Sequence, residues 1–589
     1  MRYRLALAIA LASVASAPVV AAPVAAQASE DARFTAFGNR VIDDYLRLDP
    51  VGATQLGDHR YDNRLPDVSA AGRAAGRALA IRTLNQLATF NKAKLSREHQ
   101  VDAILLADQM RYFLFSDQKL QDWAWNPMGY NGTVGGALFP LGTRNFAPLP
   151  VRLRSATARL SALPLFLQQA RAAMVPARVP KIYADTVSKQ NAGLGSLVDD
   201  LVGQKAALSA ANQAKLVAAG ERAKAAIAEH QKWIDTVLVP NAKGNERIGG
   251  ALFDQKLRLA LNSSLSRQEI HARAERSIAE LRAKMYDVAT GMLRGRRDAP
   301  PTPANPTAGQ QQAAIEAALK IVEADVPARD QVVPFATAAL RESEDFVKSH
   351  DIVTLPDVDY KVIDMPEYAR GASAAYADTP GALEKDQSGY FAVMPIPADW
   401  TAEQSSSFLR EYNKWIIHEL TNHEGVPGHL LQLTHSNQNK SRLRAFLFSG
   451  PMVEGWACYG QDVMADEGFM NRDPRFLLAH YKFQMRMPVN ALLDQGFHVD
   501  GMTRDQAMAL MTKTAFQQER EAAGKWVRLQ LSSAQLSTYF VGYQEWKDFR
   551  AAAEKRPGFN QKAFHDAALS HGSPPVRFIR ELVFDEPIR

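Results

Sequence analysis

One cysteine, Cys458, in 589 residues excludes an internal disulfide. A chain of this length buries enough apolar surface to do without one. Long apolar runs are also scarce. Beyond the first residues, no stretch approaches the roughly 20 apolar residues that a membrane-spanning helix needs. Nor does one sign of charge dominate: 69 Lys and Arg face 63 Asp and Glu, for a formal net charge of +6. No basic run of the kind that tracks phosphates is present, so nucleic acid is not an expected partner. Flexible linkers are missing too. The Pro-rich segment from Pro300 to Pro306 is too short to separate domains and reads as a surface loop.

The start of the chain reads as an address rather than as fold. Arg2 and Arg4 precede an Ala-rich apolar run from Leu5 to Val20, and Ala26-Gln27-Ala28 fits a small-x-small cleavage site. This pattern predicts a secretory signal peptide over residues 1–28, a mature chain from Ser29, and a periplasmic or secreted protein with no stable membrane insertion. Cys458 lies far from the start, so no N-terminal cysteine is available for lipid attachment.

Most of the rest reads as helix, in one large two-lobed body over residues 29–589. Ser69–Phe90, Leu153–Val175 and Gln204–Val237 carry Ala, Leu, Arg and Gln with apolar residues near the 3.6 spacing. Capping boxes mark helix starts at Ser266/Glu269, Thr401/Gln404 and Thr503/Gln506. Trp125–Phe146, rich in Gly and Pro, is expected as a structured loop. Asp351–Ile396 has extended character, with a short strand at Gly389–Met394.

The chemistry concentrates after Thr401. A helix from there is expected to run through Phe408, Trp415 and Leu420 into His423-Glu424-Gly425-Val426-Pro427-Gly428-His429. Two His one turn apart, with Glu after the first, is a pattern that binds zinc and supplies a base. Here the second His comes six residues on. A straight helix would put the two rings about 120° apart and about 9 Å along the axis, too far to share an ion. Pro427 cannot donate to the carbonyl of His423, and Gly425 and Gly428 loosen the backbone. A kink or π-type bulge absorbing two residues would return His429 to the His423 face. A third ligand is needed, leaving one position open. Glu454, expected on the next helix, is a candidate. His418-Glu419 offers a competing ligand pair with His423, at i+5, and residue types alone do not remove it.

These motifs resemble the bacterial domain-of-unknown-function 885 family, placed among HExxH-type zinc metallopeptidases of the MA clan. His423 to His429 matches its His-Glu-x-x-Pro-Gly-His motif, and Glu454-Gly455-Trp456-Ala457-x-Tyr459 its second. Asp49-Pro50-x-x-Ala53-Thr54-x-Leu56-Gly57, Asp494-x-Gly496-x-His498, Gln535-x-x-x-Tyr539-x-x-Gly542 and Phe564-His565-Asp566 match further segments. The resemblance implies a mostly helical fold with a deep cleft and a small sheet, similar to angiotensin-converting enzyme and oligopeptidases. It implies one zinc ion on His423, His429 and Glu454, with Glu424 as general base, in an active-site segment spanning residues 385–570. Tyr539 would steady the oxyanion. Tyr390, on an edge strand, with Arg528, Gln535 and His565, would bind a short peptide substrate. Asp494 and His498 are expected to be structural. Gln461, Asn490 and Leu529 depart from the residues usual in the family, which are Glu, Arg and Tyr. Two other readings stand beside the peptidase: a non-peptide amide hydrolase of the same architecture, and a periplasmic binding protein with a vestigial metal site.

Overall fold

Short polar side chains set the helix starts. In the computed structural model, which describes residues 22–365, 374–384 and 388–589, the boxes at Ser266, Thr401 and Thr503 all close reciprocally, as does a fourth at Thr307/Gln310. Each satisfies two backbone N–H groups that the first turn leaves unpaired. The helix Ala22–Leu48 runs through the expected cleavage site at Ala26–Ala28, and the apolar run before it lies outside the described residues.

Apolar faces at 3.6 spacing then pack the helices together. In Leu149–Ala173 the buried residues Leu153, Ala156, Leu160, Leu163, Leu167 and Ala170 form one stripe against the helix Ala210–Trp233. The expected helix Gln204–Val237 is interrupted: a 3-10 turn at Lys205–Ala207 and extended Leu208 precede Ser209, which starts Ala210–Trp233. Trp125–Phe146 is not a loop. Asn126 caps a helix with Pro127 in its first turn, running Pro127–Thr143. Tyr130, Val134, Ala137, Leu138 and Leu141 bury one face of it against Leu149–Ala173 and Lys181–Gly203, and this burial outweighs the low helix propensity of its glycines. Pro300–Pro306 does lie between helices, after Arg267–Leu293 and before Ala308–Glu323.

The extended region supplies three strands, β1 (Lys361–Asp364), β2 (Ala375–Asp378) and β3 (Tyr390–Val393), in the order β1-β3-β2. β1 runs parallel and β2 antiparallel to β3. The strand at Gly389–Met394 is therefore central, not an edge. Its continuous apolar run, Phe391-Ala392-Val393, is buried, as expected of a strand paired on both sides. β2 takes the edge position that faces the histidine motif.

The helix Lys414–Glu424 sits in the largest apolar core, packed on Val332–Ser349, Gly450–Glu467 and Pro474–Gln484. It is separate from Ala402–Glu411. The chain breaks at Tyr412, and Asn413 starts the second helix by accepting from the N–H groups of Trp415 and Ile416. Among the described residues, no helix is long and apolar enough to cross a membrane.

Candidate metal centre

The two-residue excess between His423 and His429 is absorbed by ending one helix and starting another. Lys414–Glu424 stops at Gly425, the chain turns through a cis Val426–Pro427 bond, and His429 opens the helix His429–Asn437. This is a clean break rather than a bulge. Gly428 makes it possible: a Cβ there would lie 1.8 Å from the carbonyl oxygen of His423 and 2.5 Å from that of Asn422. The indole N–H of Trp456 donates to the Pro427 carbonyl at 2.7 Å and pins the turn.

The turn brings the imidazoles together, with ring centroids 4.8 Å apart and planes at 80°. Glu454 comes from Gly450–Glu467, which follows two intervening helices, His429–Asn437 and Arg442–Phe446. Its Oε2 lies 3.5 Å from His423 Nε2 and 3.3 Å from His429 Nε2. Donors held at the 2.0–2.2 Å typical of zinc would be about 3.3–3.5 Å apart around a tetrahedron. Glu454 Oε2 is buried and has no hydrogen bond among the described residues. An orphaned carboxylate oxygen facing two ring nitrogens fits a cation better than it fits a polar core. Burial opposes ionisation of Glu454, but the two facing rings hold its carboxyl well below the usual range.

His423 is oriented from behind. Its Nδ1 meets Gln461 Oε1 at 3.2 Å, which requires the proton on Nδ1 and leaves the Nε2 lone pair facing the cluster. The Gln461 amide in turn donates to Glu419 Oε2 at 2.8 Å, and the same oxygen meets His480 at 3.2 Å. His480 also reaches Asp462 at 3.2 Å. Burial works against charge on His480, yet Glu419 and Asp462 raise it to about 10. Gln461 thus links the His423–His429–Glu454 cluster to a buried ionic chain. Its motif position drew attention in the sequence, but its partners come from separate helices and carry no sequence spacing.

His418 is turned away. Its Nε2 meets Glu342 at 2.9 Å and its Nδ1 the Lys414 carbonyl at 2.9 Å, with Phe335 edge-on to the ring. It is not part of the cluster.

Glu424 lies on the wall of a cavity of about 560 Å³, beside His423 and Tyr539. Its Oε2 accepts from the N–H of Ala377 on β2 at 3.0 Å. Burial pushes its carboxyl up to about 7; His423 pulls it down and Glu454 adds to the rise. Tyr539 stands on Ser537–Glu554, which packs backbone to backbone against the Glu454 helix. A Cβ on Gly455 would lie 2.3 Å from the carbonyl carbon of Gly542. Burial and the Glu454 charge push the Tyr539 phenol up to about 12, so it keeps its proton.

Arg528 donates to the Tyr539 hydroxyl at 2.9 Å and to Gln535 at 3.0 Å, while the Gln535 amide approaches the same hydroxyl at 3.4 Å. These two residues orient Tyr539, and Arg528 also lines the cavity. Asp494 accepts from the N–H groups of Ala534 and Ser537, each at 3.0 Å, and so fixes the start of the Tyr539 helix. His498 reaches the Ser532 carbonyl at 2.7 Å. Tyr390 does not line the cavity; it stacks near Arg144 on the central strand. His565 is fully buried. Its Nδ1 donates to the Ile352 carbonyl, so its Nε2 accepts from the Tyr459 hydroxyl, each at 2.7 Å.

The profile of a bacterial family of unknown function, DUF885, matches residues 50–583. The chain belongs to the DUF885 family. Among solved structures, a candidate lipoprotein of unknown function from Shewanella oneidensis is 32% identical, with a TM-score of 0.79 over 94% of this chain and 99% of that one. A candidate lipoprotein from Colwellia psychrerythraea, 16% identical, has a TM-score of 0.77 over the same shares and shares the fold. No curated protein matches the chain. The DUF885 fold is thus mostly helical, with the small sheet set against the histidine motif.

Proposed function

We propose that this DUF885 member is an exported zinc-dependent peptidase that hydrolyses short peptides. The observation that carries this reading is the convergence of His423 Nε2, His429 Nε2 and Glu454 Oε2 beside Glu424, on the wall of a cleft. Export rests on the leader-like start of the sequence and on the candidate-lipoprotein character of the two similar structures.

A zinc ion held by His423, His429 and Glu454 supplies Lewis acidity toward a carbonyl and makes a water molecule more acidic. Glu424 accepts a proton from the attacking water as the water oxygen bonds to the peptide carbonyl carbon. Ala377 N–H holds Glu424 Oε2, which fixes the carboxylate's orientation. When the C–N bond breaks, Glu424 returns that proton to the leaving amine. The Tyr539 hydroxyl, aligned by Arg528 and Gln535, donates to the oxygen that gains charge. Preorganised donors of this kind contribute most in the transition state. Ala374 and Ala375, at the start of edge strand β2, line the same cavity and place backbone groups beside an extended peptide.

The test is a peptide-library digest read by mass spectrometry. Hydrolysis is expected with the native protein. It should stop with a chelator and be lost in Glu424→Gln, which should keep its metal. Peptide products at the native rate from Glu424→Gln would remove the assigned base. No products under any metal condition would remove the peptidase reading.

A further inference from the structure

We infer that Lys525, on the wall of the cleft, receives the C-terminal carboxylate of the peptide, so that the protein cuts near carboxyl termini. This rests on the hydrolytic reading above and adds the substrate's end group to it.

The cavity that holds His423 and Glu424 continues to Glu411, Arg486 and Lys525. Its wall there is ionic. Glu411 is buried between Arg486 and Lys482 Nζ, the latter at 3.3 Å, and accepts from Gln518 N–H at 3.0 Å. Lys482 is shared with Glu323 at 3.2 Å. Glu521 accepts from the Tyr412 hydroxyl at 3.1 Å. Glu411 is thus paired with two cations, and Glu521 accepts from a neutral hydroxyl.

Lys525 is only 8% exposed, lines the cavity, and has neither hydrogen bond nor ion pair among the described residues. Arg486, by contrast, is held by Glu411. Burial lowers the Lys525 ammonium to about 7; Arg486 and Arg528 push the same way, and Glu521 and Glu411 only partly offset them. A buried cation that its neighbours only partly neutralise is costly, and an arriving anion lowers the cost.

The form of the cavity selects the anion. At about 560 Å³ it is the size of a site for a small ligand, and Trp400, Phe408 and Phe483 give it apolar walls suited to side chains. A single unpaired ammonium matches one carboxylate better than a polyanion. Every short peptide carries one such group at its C-terminus, whatever its side chains.

The test uses full-length Glu424→Gln, which binds without turnover, and calorimetric titration with Ala-Ala-Phe-Ala as free acid and as C-terminal amide. The free acid is expected to bind at least tenfold tighter. In Glu424→Gln/Lys525→Met the two peptides should bind within twofold of each other, with amide affinity unchanged as the sign of an intact fold. Lys525→Arg in the same background should keep the preference. Equal binding of acid and amide, or no binding of either, overturns the inference. An amidated peptide carrying an internal Asp that binds as tightly as the free acid overturns it too, by assigning the site to a side chain. Turnover by the native protein is scored separately. Hydrolysis without an acid preference sinks the carboxylate site and leaves the peptidase. Acid preference without hydrolysis does the reverse.

Discussion

Replacing Gly428 by alanine should cost the protein its metal while leaving its helices intact. The added Cβ would fall 1.8 Å from the His423 carbonyl oxygen and 2.5 Å from that of Asn422, both backbone atoms. Carbon–oxygen contacts settle above about 3 Å, so relief demands a movement of roughly 1 Å or more between the end of one motif helix and the start of the next. Metal ligands tolerate about 0.2 Å around their preferred lengths. The turn being displaced carries His429 directly. It is pinned by Trp456, so the strain cannot dissipate without losing that hydrogen bond as well. Loss of a single supporting contact at a metal site costs about 10–100-fold in affinity. Displacement of a ligand should cost at least the upper figure, and misplacement by about 1 Å can cost 10²-fold in rate on its own. The assay is competition for zinc against a chromogenic chelator, with far-ultraviolet circular dichroism as the control for fold. A Gly428→Ala protein that binds zinc as tightly as the native chain would refute the idea that this turn sets the ligand geometry.

Tyr539→Phe should lower kcat by about 10²–10³ with KM nearly unchanged, the behaviour of a donor that acts only in the transition state; a proportional rise in KM instead would make Tyr539 a binding group. Gln461→Glu, which restores the residue usual in the family, should destabilise this chain by about 1–3 kcal/mol, because it removes the amide donor from buried Glu419 and sets a second carboxyl beside it. Chemical denaturation checks this, and an unchanged or higher midpoint would show that His480 absorbs the added charge.

Local chemistry carried much of this fold into the sequence. The boxes at Ser266, Thr401 and Thr503 depend on residues three apart and form as expected. Helix geometry demands a distortion between His423 and His429, and Pro427 with its flanking glycines marks the place, but the chain answers with two separate helices rather than the expected kink or bulge. Two local signals outweigh the composition around them. Asn126-Pro127 is a helix start, and the apolar spacing from Tyr130 to Leu141 continues it despite the glycines. Asn413 likewise announces a second helix where one was expected. What the sequence could not carry was non-local. Strand order decides whether Tyr390 sits at an edge, and it depends on β1 and β2 pairing across the sheet. Lys525, Arg486 and Glu411 come from three separate helices with no spacing that links them. His565 shares a motif with site-like residues, yet its partners Tyr459 and Ile352 lie on distant segments and enclose it in the core.

The direct measurement is the metal content of the purified protein after dialysis against trace zinc, by inductively coupled plasma mass spectrometry. The account predicts one zinc per native chain, and well below one for Glu454→Ala and for His429→Ala with their circular dichroism preserved. Native protein without stoichiometric metal, or a Glu454→Ala protein with the full complement, would contradict it.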